Sequence, residues 1–547
     1  MTHAVRSHGF TALGPLHEAF ARLTGWPAVI TSLLLGAFSS VAFAPFHFSA
    51  VLVISFTCLI WMLDGARGHR KWGKAVFLRT WAFGAGFFLI SMHWTAAPFL
   101  VEPEKHAIFL WMPLILLPGG MALIWGAFGA MAGAFWSSSP SRIFIFALFF
   151  ALAEYVRGHL FGGFPWNLPG TTWIPGGALS QTASIGGVYW LTLVTVFIMS
   201  APAALVDTRE SRQLAVRIAP VFAAVILLAL GWTWGAQRIA QPSAQSDQFV
   251  VLMDSGVPQN EKWEIGPDPI LIEYLRMLST QEGEAGDIIL WPEGALPTTL
   301  LQDANALDAV GAYLGPRELI AGTTRYEITG KNMRDYYNSL TVIDENAIRS
   351  GPVALYDKHR LVPFGELPAT RIIPFGEALS GILPGAIQRM ASDGFRPGPG
   401  PAVIYADDIP PFVAMICYEG LYPSIPRNAN LGARADWLVL ISNDAWFGGG
   451  MGPAQHYAQN RYRSIETGLP MARVASRGAS AIVDGLGREV LRAAPVADAP
   501  SGWSMSFGRG RLPLPESVTL FQTRIGMMLF WLSLFLFAGL AFLTWRR

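Results

Sequence analysis

Eight apolar stretches, each near the roughly 20 residues that a helix needs to cross a bilayer, constrain this 547-residue chain more than any other feature. Seven precede residue 240, near 27–44, 48–63, 76–94, 108–136, 141–157, 183–206 and 218–236. The eighth, "IGMMLFWLSLFLFAGLAFLTW", occupies 525–545. In lipid the backbone polar groups must be satisfied inside the segment, so these stretches predict a multi-pass α-helical membrane domain of about eight spans. The first two are short and parted by "PFHF", which also suits a re-entrant hairpin without changing the parity. The early apolar run is not read as a cleaved signal, because six more follow it without a clear cleavage site. Only 14% of the residues are charged, against about 25% in ordinary soluble proteins.

Lysine and arginine favour cytoplasmic loops. Arg67, Arg70, Lys71 and Lys74 follow the second run, Arg209, Arg212 and Arg217 follow the sixth, and Arg546 and Arg547 end the chain. The alternate loops carry Lys105 alone, beside Glu102 and Glu104, and none in 158–182. An even number of spans closes this topology and leaves residues from about 240 to 520 outside the cytoplasm. The expected division is therefore 1–239 membrane domain, 240–520 extracytoplasmic domain and 521–547 terminal span.

In that interval the pattern changes. Short β-type runs such as "QFVVLMDS", "DIILWPE", "ELIAGTTRY", "NSLTVID", "FVAMICYE" and "WLVLISNDAW" alternate with "PILIEYLRMLST" and "PAQHYAQNRYRSIETG", which read as helices. Such alternation predicts an α/β domain around a buried sheet.

Several classes are excluded. A net charge of +1 with no basic block interrupted by aromatics gives no footprint for nucleic acid. Two cysteines build no disulfide framework, and no Cys/His cluster has zinc spacing. Cys58, inside "VLVISFTCLIWML", reads as a small buried hydrophobe. The membrane runs have few paired charges and no matched halves with broken helices, which argues against a transporter.

Chemistry-bearing residues gather where the expected strands end, as they do on rigid sheets. "IILWPEGALP" carries Glu293, "ALYDKHRLVPFGELP" carries Lys358 and Glu366, and "FVAMICYEG" carries Cys417 and Glu419. A cysteine attacks as its thiolate, so it needs a base, and a cation stabilises the charge that develops. The residues alone leave open whether the base is a carboxylate or an imidazole, since His359 and His456 are also available. Glu154 and Arg157, three apart on one expected helix, read as a structural pair. The loop "GHLFGGFPWNLPG" is expected at the outer interface, beside the path by which lipid arrives.

"WPEGALP", "YDKHRLVPFGELP" and "MICYEGLYP", followed by "ISNDAWFG", resemble the glutamate, lysine and cysteine signature of the nitrilase, or carbon-nitrogen hydrolase, superfamily. "VAFAPF" at 41–46, "AEYVRGHLFGGFPW" at 153–166 and "GPAQHYAQNRYRSIETGLPMAR" are similar to its membrane-embedded branch, the apolipoprotein N-acyltransferases. The resemblance implies an extracytoplasmic α-β-β-α sandwich in which Glu293 is the general base, Lys358 the oxyanion cation and Cys417 the nucleophile. It implies supporting roles for Glu366 and Glu419, an oxyanion donor in the Tyr418 N–H, and substrate contacts from Trp263, Asn338 and Trp446. It further implies ping-pong transfer from a phospholipid acyl donor to a diacylated apolipoprotein, without metal or cofactor, by a monomer in the bacterial inner membrane with its catalytic domain on the periplasmic side. A membrane-tethered amidase, in which water resolves the acyl-enzyme, is the alternative on the same fold. Two positions depart from the family pattern: Gly294, where many members have threonine, and Ser476-Arg477-Gly478, where many have an asparagine-rich motif.

Overall fold

The computed structural model describes residues 8–9, 13–137, 139–207, 214–280, 286–329, 333–345, 350–363, 365–367, 394–431 and 433–546. Arg209, Arg212 and Arg547, invoked above for orientation, lie outside them.

The apolar runs are helices: Gly25–Ser39, Val51–Arg67, Trp72–Ser91, Leu117–Ala134, Ser141–Arg157, Ala183–Ser200, Leu214–Ile239 and Arg524–Arg546. Among the described residues, six helical segments are long and apolar enough to cross a membrane; Val51–Arg67 and Ser141–Arg157, at 17 residues each, are not among them. The first two runs form separate helices joined by the 3-10 turn Ser40–Ala42 and a short loop. Large side chains knit the bundle: Phe83, Phe87, Phe88 and Phe150 surround Trp125 at centroid distances of 4.6–6.0 Å.

Helix Ser141–Arg157 carries a buried arginine at each end, about 22 Å apart at 1.5 Å per residue. Arg142 donates to the carbonyls of Ala203 (3.0 Å) and Val206 (2.6 Å) and lies 3.4 Å from Asp64, which also binds His17 and the Trp136 indole. Arg157 binds Glu154 through two bonds of 2.8 and 2.5 Å and donates to the Phe164 carbonyl at 2.6 Å. The Trp125 indole donates to the same Glu154 carboxylate at 2.7 Å. The pair expected from sequence is present and fully buried. Buried charges persist in this way only when paired and hydrogen-bonded.

The α/β domain is a four-layer sandwich. A seven-stranded sheet runs in the order Ala494–Pro495, Ser506–Pro513, Gln245–Asp254, Ile288–Leu290, Glu318–Thr329, Met333–Ile343, Ala354–Asp357. A six-stranded sheet runs Glu489–Arg492, Ala481–Val483, Met471–Ser476, Trp437–Asn443, Ile409–Ile416, Val403–Ala406. Because side chains alternate across a strand, each strand feeds two cores. Val250, Leu252, Ile288 and Leu290 meet Phe412, Ala414, Ile416, Val439 and Ile441 between the sheets. Val251, Met253, Ile289 and Trp291 face outward, onto helices Pro267–Thr280 and Ala304–Leu314. Both faces being covered, the central strands read as nearly unbroken apolar runs.

The outer helix on the six-stranded sheet, Met451–Thr467, is polar in composition yet buried along most of its length. It is the seam with the membrane domain, and hydrogen bonds make the seam. The Trp166 indole donates to Gln455 (2.7 Å), the Asn167 N–H to Gln459 (2.8 Å), and Tyr462 to the Trp173 carbonyl (2.6 Å). Gly187, at φ +76°, breaks helix Ala183–Ser200 and frees the Val188 N–H to donate to buried Glu466 at 2.8 Å. The loops around 93–100 and 158–182, expected on the outer side, meet the α/β domain; Arg67, Arg70, Lys71 and Lys74 follow Asp64, at the Arg142 end.

Candidate active site

Strands Gln245–Asp254, Ile288–Leu290 and Glu318–Thr329 are parallel, and Ala354–Asp357, two antiparallel steps further on, points the same way. In the other sheet Ile409–Ile416, Trp437–Asn443 and Met471–Ser476 are parallel. The residues at or just past the ends of these strands, Glu293, Lys358, Cys417 and Asn443, are therefore delivered to one edge of the sandwich. The loop bearing Glu293 stays against its neighbouring strand because Gly322 has no side chain: a Cβ there would fall 2.5 Å from the Glu293 Cα.

The structure brings Glu293, Lys358, Glu366 and Cys417 together. Lys358 Nζ donates to Glu293 Oε1 at 3.1 Å and to Glu366 Oε1 at 2.8 Å, and the Asn338 amide donates to the same two oxygens at 2.7 and 2.8 Å. Glu293 Oε2 accepts from the Asn443 N–H at 2.9 Å, and the Cys417 thiol bonds to the Glu293 carboxylate. Glu366 Oε2 accepts from the Val362 N–H at 2.9 Å, which fixes the loop behind the lysine. Asn338, expected to contact substrate, gives its amide to the two carboxylates and so orients them. Trp446 is 40% exposed at the rim, and Trp263 is open at 70%.

Burial pushes the Glu293 carboxyl up, but the Lys358 ammonium, the Asn338 amide and the Cys417 thiol together hold it below its ordinary value. Burial pushes the Lys358 ammonium down, and the charges of Glu293 and Glu366 more than reverse that. Burial raises the Cys417 thiol, the Glu293 charge raises it further, and Lys358 only partly opposes them. The resting cluster is thus a carboxylate, an ammonium and a protonated thiol, with the thiol beside the carboxylate.

Cys417 begins the 3-10 turn Cys417–Leu421 directly after its strand and sits at φ +51°, a left-handed conformation that costs a non-glycine residue about 1–2 kcal/mol. The Tyr418 N–H lies in the first turn, where helical N–H groups have no intrahelical acceptor. Its side chain turns away, donating to the Gly163 carbonyl at 2.5 Å in the membrane domain's loop, where Tyr422 also donates at 2.9 Å. Since Arg157 holds Phe164 next door, the buried membrane pair braces the segment that follows the cysteine.

Glu419 is fully buried and accepts four bonds: from the Tyr356 hydroxyl (2.9 Å), the His359 N–H (2.9 Å), the Arg360 N–H (3.0 Å) and the Ile416 N–H (2.9 Å). It ties the backbone just after Lys358 to the backbone just before Cys417. Glu419→Ala strands those donors in a buried site, so a loss of about 3–5 kcal/mol is expected. Thermal unfolding in detergent reads this as a lower Tm, and an unchanged Tm overturns the assignment.

The histidines left open by sequence point elsewhere. His359 Nδ1 lies 3.1 Å from the Gly398 carbonyl, and His456 Nε2 lies 3.2 Å from the Cys417 backbone carbonyl. The acceptor beside the sulfur is a carboxylate.

Sequence reasoning missed Asn443, inside "ISNDAWFG", as a backbone donor, and missed Lys262. In "VPQNEKW" the lysine turns inward while Trp263 stays open. Lys262 Nζ donates to the Gly294 carbonyl, and burial holds its ammonium down to about 8 against the pull of Asp254 and Glu293. Gly294 itself sits at φ +55°, where a side chain is disfavoured. Arg477 is taken up structurally: its N–H donates to Asp254 at 3.0 Å and its guanidinium to the Gly256 carbonyl at 2.8 Å.

Residues 35–201 match the family described as the apolipoprotein N-acyltransferase N-terminal domain, and residues 277–497 match carbon-nitrogen hydrolase. The chain is 32% identical over 481 residues to the apolipoprotein N-acyltransferase of Rhodopseudomonas palustris, covering 85% of this chain and 87% of that protein. It is 35% identical over 477 residues to the one from Caulobacter vibrioides, covering 85% and 86%. A crystal structure of an amidase from Nesterenkonia sp. aligns with 51% of this chain and 94% of its own at 17% identity, with a TM-score of 0.29.

Proposed function

The chain belongs to the apolipoprotein N-acyltransferase family, and from that premise we propose that Cys417 carries the acyl chain between the two substrates, with Glu293 as its base and Lys358 as its oxyanion cation. The enzyme is an N-acyltransferase of lipoprotein maturation built on a nitrilase-type domain, and its family acts in bacterial membranes on phospholipid and lipoprotein.

In the first half-reaction the Cys417 sulfur attacks the ester carbonyl of a phospholipid acyl chain while Glu293 takes the thiol proton. The Lys358 ammonium and the Tyr418 N–H bind the oxyanion. Collapse breaks the ester C–O bond, the departing glycerol oxygen takes the proton from Glu293, and lysophospholipid leaves behind a thioester. In the second, the α-amine of the diacylglyceryl-cysteine of the apolipoprotein attacks that thioester and gives its proton to Glu293. Collapse forms the amide and breaks the C–S bond, and the proton returns to sulfur. The order is ping-pong.

The observation that carries this reading is the contact of one carboxylate with both an ammonium and a thiol, delivered from three strand ends. Support for a periplasmic catalytic domain in the inner membrane comes from the bundle: the loops poor in lysine and arginine meet the α/β domain, while the basic loop 67–74 follows Asp64 at the Arg142 end. We extend the reading to eight spans, with the catalytic domain at 240–520 between the seventh and eighth, and to a monomer. Tethering has a physical reason, since each acyl methylene buried in lipid is worth about 0.8 kcal/mol and a site lifted into water would have to extract the whole chain.

Purified enzyme given a fluorescent phospholipid and a diacylated lipopeptide is expected to yield the labelled N-acyl lipopeptide together with lysophospholipid. Release of free fatty acid with an unmodified lipopeptide would instead mark a hydrolase.

A further inference from the structure

The mechanism leaves unused the buried histidine beneath the nucleophile. His456 is fully buried on the seam helix Met451–Thr467, stacked on Trp166 at 5.7 Å and edge-on to Phe447 at 5.2 Å. Its Nε2 lies 3.2 Å from the Cys417 carbonyl oxygen. A carbonyl only accepts, so Nε2 carries a proton and donates it. Nδ1 lies 3.0 Å from Asp444 Oδ1 and 3.2 Å from the Arg473 guanidinium, which binds the other Asp444 oxygen at 2.7 Å. Arg473 is held in turn by Asn460 at 3.0 Å and by the Ala479 carbonyl at 2.5 Å. Asp444 Oδ1 also accepts from the Ser442 hydroxyl at 2.7 Å, and Ser442 lies beside the Cys417 thiol. Between Ser442 and Asp444 stands Asn443, whose N–H binds Glu293.

One turn therefore addresses the base, the sulfur and the imidazole, and the imidazole reaches the backbone of the one residue whose left-handed φ aims that sulfur. We propose that His456, oriented by Asp444 and Arg473, is a positioning residue for the acylation step: its Nε2–H holds the Cys417 carbonyl so that the thiol faces Glu293. It takes no proton from substrate, because both ring nitrogens are engaged within the protein. The inference rests on Cys417 being the nucleophile.

The test compares His456→Gln, whose side-chain amide reaches the carbonyl as Nε2 does, with His456→Phe, which keeps the ring against Trp166 but has no donor. The rate of acyl-mass appearance on the Cys417 peptide is followed in purified enzyme with phospholipid of a single acyl composition. His456→Phe is expected to acylate about 100-fold more slowly, as misplacing a reacting group by about 1 Å does, with KM for phospholipid within about twofold of the parent's. His456→Gln is expected to recover most of that rate. A folded Phe variant acylating at the parental rate, or a Gln variant as slow as Phe, overturns the proposal. Should the Phe variant fail to fold, the Gln variant decides: near-parental acylation supports the role and a 100-fold loss refutes it. A parent that never gains an acyl mass on Cys417 refutes the nucleophile assignment instead, so the two failures are distinguishable.

Discussion

Cys417→Ala enzyme is expected to fold, to sit in the membrane and to transfer no acyl chain, a loss of about 10⁴-fold or more. The substitution removes one sulfur and keeps the β-carbon at the same φ, so it adds no backbone strain. Glu293 loses the thiol but keeps Asn338, Lys358 and the Asn443 N–H, so the base is not orphaned and the Tm should stay close to the parent's. Phospholipid should still bind, because the substitution removes one sulfur atom and leaves the rest of the protein surface unchanged. The decisive readout is intact-mass spectrometry after incubation with phospholipid, where the parent gains one acyl mass and the variant none. Transfer to lipopeptide within tenfold of the parent would mean that no thioester lies on the path.

Lys358→Met should be nearly as damaging, and it also changes the pH profile. Lys358 is buried and contacts both Glu293 and Glu366. Without it two carboxylates share the Asn338 amide with no cation between them, so the Glu293 carboxyl rises from its depressed position. A base whose pKa rises is protonated, and so idle, at pH values where the parental base is ionised; the acid limb of the acylation profile therefore moves to higher pH. The oxyanion loses its cation in addition, and about 10³-fold is expected at neutral pH. The sign is the test, since an acid limb at the parental position, or one moved to lower pH, would show that Lys358 does not hold the base ionised. A lower Tm is expected as well, because the paired carboxylates lose their counter-charge in a buried site.

Strands buried on both faces, such as Gln245–Asp254 and Ile409–Ile416, were legible in the sequence because two cores demand apolar side chains and leave a short, nearly unbroken apolar run. Met471–Ser476 was not legible, since Arg473 interrupts the apolar pattern at a position where it is fully buried and paired with Asp444. Ser506–Pro513 was obscured by Gly508, Arg509, Gly510 and Arg511, a composition that reads as loop until backbone pairing with Gln245–Asp254 recruits it. Helix Met451–Thr467 was legible as a helix, but nothing in its polar composition announces burial; only the hydrogen bonds to Trp166, Asn167 and Val188 explain it. At the site, side-chain chemistry could be read from motif order. Backbone donors such as the Asn443 N–H could not, because any residue supplies an N–H and only the fold aims it. Lys262 and Trp263 show the same limit, adjacent residues whose inward and outward directions are set by a four-residue helix.

The seam helix also bears on any attempt to obtain the catalytic half as a water-soluble enzyme. Severed at residue 240, that half would present Gln455, Gln459, Tyr462 and Glu466 without their acceptors and donors, beside apolar neighbours shaped to a missing wall. Solvent can satisfy the polar groups but not cover the tyrosines and the sheet behind them. The cut piece is left with a sticky flank and a loosened support for Tyr418, so autonomy and catalysis would be lost in one truncation.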